Sequence, residues 1–185
     1  MALINIPASG IWSTIATALN TNFTELFNRT GYAVYNDTQY TVGNPLVVAQ
    51  GSTVSLPNNA GTVLVDQLPA GVTSLYDGAR LVSNDNRAAY MIRINFTVSN
   101  SSQTGSFELD FDISAAGDGS IPILSRTTAL ARGANTPQPV SYSEMYFSRE
   151  TFVANGALLQ FISISGTSSI YDISYVISKI HKGRV

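Results

Sequence analysis

Three carboxylates spaced by two, Glu108, Asp110 and Asp112, have the strongest claim to chemistry in this 185-residue chain. On a strand, alternate residues share a face, and two rises set neighbouring carboxylates about 6.5–7 Å apart. That separation suits a pair hydrolysing a glycosidic bond, and a row of carboxylates also suits a divalent cation. The same ladder is expected on the solvent face of any antiparallel strand, where it keeps an edge soluble or meets Arg93 across a hairpin. The solvent-face reading is favoured, because nothing else in the chain completes a site. His181 is the sole histidine, within Ile180-His181-Lys182-Gly183-Arg184. One ring there builds no metal cage, and no Gly-x-Ser-x-Gly elbow accompanies it. Cysteine is absent, which removes disulfides, thiolate metal sites and thiol catalysis. No catalytic, cofactor-binding or metal-binding residue is assigned, and the expectation is a protein that is not an enzyme.

Smaller motifs are read as structure. Asp118-Gly119 and Asp85-Asn86 are fragments of calcium loops that lack the rest of the pattern, and Gly117-Asp118-Gly119 opens no helix that would cradle a phosphate. Asn-x-Ser/Thr at Asn22, Asn28, Asn36, Asn95 and Asn100 is expected by chance in a chain this rich in Asn, Ser and Thr. Tyr32, Tyr35, Tyr40, Tyr76, Tyr142 and Tyr146 offer stacking surfaces for sugars, but packing at sandwich edges or between subunits is the favoured reading. A net charge of −2 with only two lysines, Lys179 and Lys182, leaves no basic stripe, so nucleic acid is not an expected partner. No apolar run approaches the roughly 20 residues of a membrane span. Residues 1–10 carry no Lys or Arg and no sustained apolar run, so they do not read as a secretory signal, and release by lysis is expected.

The elements that position these residues fall into one helix and many strands. From 11 to 28, Trp12, Ile15, Leu19, Asn22 and Leu26 are spaced 3, 4, 3 and 4, which keeps one seam facing a partner helix. Asn22 is the polar member, a residue type that lowers seam stability while fixing register and strand number. Pro7 and Ser9 supply a stop and an N-cap upstream, and Gly31 an end downstream. The helix either lies on its own sandwich or joins a parallel bundle between subunits, with the bundle favoured. From Gly31 the period changes to two, giving strand segments near 32–36, 45–49, 52–56, 62–66, 79–83, 89–99, 105–114, 121–130, 140–153, 157–165 and 169–180. Tyr90, Ile92, Ile94, Phe96 and Val98 share one face, as do Phe107, Leu109, Phe111 and Ile113, and the short loop between them predicts a hairpin. Asn155-Gly156 predicts a second hairpin.

The last two strands carry apolar residues on both faces. A sandwich wets the outer face of each sheet, so a neighbouring subunit is the expected cover, with Phe161, Tyr171, Ile173 and Tyr175 packing between subunits. The fold class is therefore mainly β, an antiparallel β-sandwich preceded by one short N-terminal helix. The charged fraction, 12% against roughly 25% in ordinary soluble domains, matches the uncharged polar surfaces of extracellular adhesins and assembled shells.

Ile11-Trp12-Ser13-Thr14-Ile15 followed by Leu19-Asn20-Thr21-Asn22-Phe23-Thr24-Glu25-Leu26 resembles the N-terminal segment of tailed-bacteriophage fibre and decoration proteins. Phe152-Val153-Ala154-Asn155-Gly156-Ala157-Leu158, with a closing strand over 170–180, is similar to the C-terminal half of trimeric, tumour-necrosis-factor-like jelly rolls on phage heads and tails. The resemblance implies a homotrimer on the virion surface, assembled in the host cytoplasm. Residues 1–30 would dock on a capsid or tail protein and trimerise, and residues 31–185 would form the displayed sandwich. The short chain favours a head decoration or head fibre. A tail-fibre knob recognising a bacterial surface glycan is the alternative. No catalytic residue carries over.

Overall fold

The computed structural model describes residues 10–27, 30–57, 60–69, 71–83 and 85–181. The expected helix is present as α1 (Ile11–Phe27). Eleven strands follow among the described residues: β1 (Gly31–Asp37), β2 (Leu46–Val48), β3 (Thr53–Ser55), β4 (Ala60–Leu64), β5 (Arg80–Leu81), β6 (Ala89–Asn100), β7 (Ser106–Asp112), β8 (Pro122–Ala129), β9 (Gln138–Phe147), β10 (Ala157–Ser165) and β11 (Ser168–His181). A short helix, α2 (Glu150–Asn155), separates β9 from β10. The front sheet runs β4-β1-β11-β6-β9, with β2 also on β11, and the back sheet runs β3-β10-β7-β8, with β5 also on β10. The paired strands are antiparallel throughout.

The core lies between the sheets and is made by the alternation read from sequence. Tyr90, Ile92, Ile94, Phe96 and Val98 of β6 face Phe107, Leu109 and Phe111 of β7, all buried. Phe96 meets Phe107 and Phe161 edge-on at 5.8 and 6.1 Å, while Phe107 and Phe161 stack at 4.8 Å. Such aromatic contacts add about 0.5–1.5 kcal/mol each beyond the area they bury. A second group, Tyr90, Tyr146 and Phe152, stacks at 5.3 and 5.1 Å near the other end.

Both expected hairpins are corrected. β6 and β7 belong to opposite sheets, so the loop after Asn100 crosses the sandwich and the strands meet face to face. Asn100 organises that crossing: its Nδ2 donates to Ser168 Oγ at 2.9 Å, its Oδ1 accepts from Ser102 N at 2.8 Å and its carbonyl accepts from Asn135 N at 2.6 Å. At Asn155-Gly156 the positive φ is present, +69° at Gly156, but it ends α2 and turns the chain into the back sheet. A Cβ at Gly156 would sit 2.6 Å from the Leu81 carbonyl oxygen.

The expectation that Phe161, Tyr171, Ile173 and Tyr175 pack between subunits is also corrected. Phe161, Ile173 and Tyr175 are enclosed by the chain's own core and Tyr171 is buried, so none offers surface to a neighbour. β11 looks two-faced because Asp172, at φ +54°, lies where the register with β6 shifts between Tyr171 and Ser174. That irregularity reverses the strand's phase, so Ile170 and Ile173, three apart, both point inward. The outer side of β10 is covered by the 113–121 loop at Leu158 and Gln160, while Ile164 further along is exposed. Gln160 Nε2 donates to the Gly117 carbonyl at 2.7 Å, and a Cβ on Gly117 would lie 2.3 Å from Leu158 Cδ1.

Candidate functional site

The acidic strand is split by its surroundings. Glu108 and Asp110 both contact Ser125 Oγ on β8 and share its single hydroxyl proton, and Arg93 sits in the other sheet. Asp110 is pushed above the usual carboxylate range, chiefly by burial, with the Ser125 hydroxyl opposing and the neighbouring Glu108 charge adding to the rise. Asp112 corrects the solvent-face reading, since it is fully buried. It accepts from Ser114 N (3.0 Å), Ser114 Oγ (2.5 Å), Gly119 N (3.0 Å) and Ile121 N (3.2 Å). Burial alone would raise its carboxyl, but these donors together hold it below the usual range. Asp112 is thus the anchor that folds the 113–121 loop onto the back sheet. Arg80 completes the clamp through the carbonyls of Ser114, Asn155 and Ala115 at 3.0, 3.1 and 3.2 Å.

The other chemistry-bearing candidates are also placed. His181 is exposed at the end of β11. Among the described residues no group of three or more His, Cys, Asp or Glu is arranged to hold a metal ion, and no helix is long and apolar enough to cross a membrane. Tyr35, Tyr76 and Tyr146 are buried in the core, Tyr40 and Tyr142 pack against it, and Tyr32 is exposed.

The fold leaves several large apolar side chains uncovered. On the front sheet's outer face Tyr32 pairs with Ser178, Ser178 with Met91 and Met91 with Met145, so one row crosses four strands. Tyr32, Met91 and Met145 are exposed, Met145 to 62%, as is Ile180 two residues beyond Ser178. At the open edge of the sandwich, between β8 and β9, a groove of about 270 Å³ is walled by Phe111, Ile123, Leu124, Met145, Tyr146 and Phe147. Glu144, also on its wall, pairs with Arg126 at 3.0 Å. The seam of α1 is uncovered too: Trp12 is 72% exposed, and Ile15, Leu19 and Asn22 are exposed. Among the described residues α1 makes no extended contact with any strand, although Ala16 on it is buried. The Leu26 side chain, Pro7 and Ser9 lie outside the described residues.

Sequence reasoning missed the Met91–Met145 row. The signal was present in the outward positions of β6 and β9, but finding it required knowing that these strands are neighbours.

No protein-family model and no curated relative matches the chain. Solved structures do. The tumour necrosis factor Eiger from S. frugiperda superposes with a TM-score of 0.53 at 12% identity, over 85% of this chain and 96% of that one. The fold is a jelly roll. The PRD1 vertex protein P5 aligns more loosely, with a TM-score of 0.46 at 14% identity over 84% of this chain and 99% of its own. So does the globular domain of the zebrafish complement 1qA protein, at 0.41 and 11% over 84% and 99%. In the jelly roll of this chain every connection from β8 to β11 switches sheets, which is why sequential strands face each other instead of pairing.

Proposed function

We propose that this chain is a non-enzymatic surface protein of a tailed-bacteriophage virion, a homotrimeric head decoration or head fibre. Residues 1–30 dock it on a capsid or tail protein and trimerise it, and the jelly roll of residues 31–185 is displayed. The observation that carries this reading is the pair of uncovered apolar surfaces on one chain, the α1 seam and the Tyr32–Met91–Met145 row. Burying each large apolar side chain is favourable by about 1.5–3 kcal/mol, so both surfaces favour association.

The row runs into the β8/β9 groove at Met145, so the apolar surface continues to the edge of the subunit. A neighbouring copy seated on the row makes a contact that closes into a ring when the rotation permits. The spacing of Trp12, Ile15, Leu19, Asn22 and Leu26 suits a parallel bundle on the axis of such a ring. The number three and the phage setting rest on the resemblance of residues 11–26 to phage fibre and decoration proteins. The test is electron microscopy of purified virions carrying a tagged copy. Threefold density on the head is expected, and absence of the chain from the particle contradicts the proposal.

A further inference from the structure

Two arginines line one cleft at the end of the sandwich where β6 begins and β9 finishes. Arg87 and Arg149, with Asn86, Phe147, Glu150 and Thr151, line a cleft of about 650 Å³. Arg87 lies two residues before β6 and Arg149 two residues after β9, and the Ala89–Phe147 pair is the last rung between those strands. Beyond it, Arg87 N donates to the Ser148 carbonyl at 2.6 Å and Ser148 N to the Ala88 carbonyl at 2.9 Å, with Ser148 fully buried. These bonds hold Arg87 at φ +61°, a left-handed conformation that a non-glycine residue rarely adopts unless its surroundings impose it. The two arginines therefore leave adjacent strand ends from a fixed backbone.

Their donors are unspent. Arg80 bonds three carbonyls, Arg126 pairs with Glu144, and Arg132 bonds the Pro137 carbonyl at 2.7 Å. Asp85, the acid nearest in sequence to Arg87, is taken by the buried Lys179. Among the described residues neither Arg87 nor Arg149 has a side-chain acceptor, and Phe147 beside them is 61% exposed. We propose that this cleft binds an anionic sugar residue. Its carboxylate or phosphate takes the paired guanidinium forks. The apolar face of its ring lies on Phe147, and its hydroxyls exchange hydrogen bonds with Asn86, Thr151 and the Glu150 carboxylate. Glu150 repels a ligand of unbroken negative charge, so a sugar with free hydroxyls fits better than a bare polyanion.

The proposal goes beyond the structural role and does not depend on trimer formation. Titration of the full chain with glucuronate, glucose 6-phosphate and glucose, followed by calorimetry or saturation-transfer NMR, tests it. At least one of the two anions binds with a Kd of about 1–10 mM, and glucose binds at least about tenfold more weakly. Which anion binds distinguishes a carboxylate ligand from a phosphate one. Arg87→Gln with Arg149→Gln weakens binding at least about tenfold while the melting temperature holds, and Phe147→Ala, which keeps both charges, weakens it separately. If neither anion binds below about 50 mM, if glucose binds equally well, or if a folded double arginine variant binds like the native chain, the proposal is overturned.

Discussion

The two outer faces of this sandwich solve one problem in opposite ways. The back sheet presents Leu158 and Gln160 outward and covers them with its own 113–121 loop, anchored on Asp112 and clamped by Arg80. The front sheet presents Tyr32, Met91 and Met145 outward and leaves them uncovered. A face closed by its own chain is a folding feature, and under the proposed function a face left apolar and open serves assembly. Both signals are outward apolar residues in sequence, and only the tertiary position of one loop tells them apart.

The largest effect expected from breaking this contrast is on assembly. Met91→Glu with Met145→Glu puts charges on the open row and should cost roughly 4 kcal/mol per contact, dispersing the oligomer into folded single chains. Sedimentation together with an unchanged far-ultraviolet spectrum would show it. On the closed face the effect should fall on stability instead. Asp112→Ala removes the acceptor of four hydrogen bonds at a buried site and should destabilise the fold by about 3 kcal/mol, read from the denaturant midpoint.

A smaller loss, about 1–2 kcal/mol, is expected for Gly117→Ala. There φ is +67° and the new methyl would collide with Leu158. The loop should lift, which faster amide exchange over 113–121 would report.

The smallest effect concerns pH. Asp110 has its folded carboxyl raised above 3.8, so its protonation as the medium is acidified favours the fold. Asp112 is held below 3.8, so the stability it contributes is complete above that pH and is lost as pH falls through its lower folded value. Stability should therefore rise slightly on mild acidification and fall below pH 3.8, and Asp110→Asn should abolish the rise. Denaturation midpoints between pH 6 and pH 3 follow both limbs.

The period of the sequence made individual strands legible and left their partners hidden. Tyr90 to Val98 and Phe107 to Ile113 were read on the correct apolar faces, because alternation fixes which side of a strand is wet. Whether two such strands pair or face one another depends on where the loop between them goes. The polar stretch 101–105 serves a hairpin and a sheet crossing equally well. Asn155-Gly156 carried a true positive φ, but a left-handed glycine ends a helix as readily as it turns a hairpin. At Asp172 a single irregular residue produced the two-faced pattern of β11 that pointed to Tyr171, Ile173 and Tyr175 as interface residues, and on β10 the loop over Leu158 and Gln160 did the same for Phe161. The Arg87–Arg149 cleft was illegible for a related reason, since its two arginines stand far apart in sequence and meet only through the last rung of β6 and β9.

Under the proposed function a second copy covers the open face of the front sheet. Sedimentation equilibrium of the purified full chain at micromolar concentration measures this directly. A single species of three times the 19.8 kDa chain mass is expected, and a persistent mass of one chain at that concentration rules the trimer out.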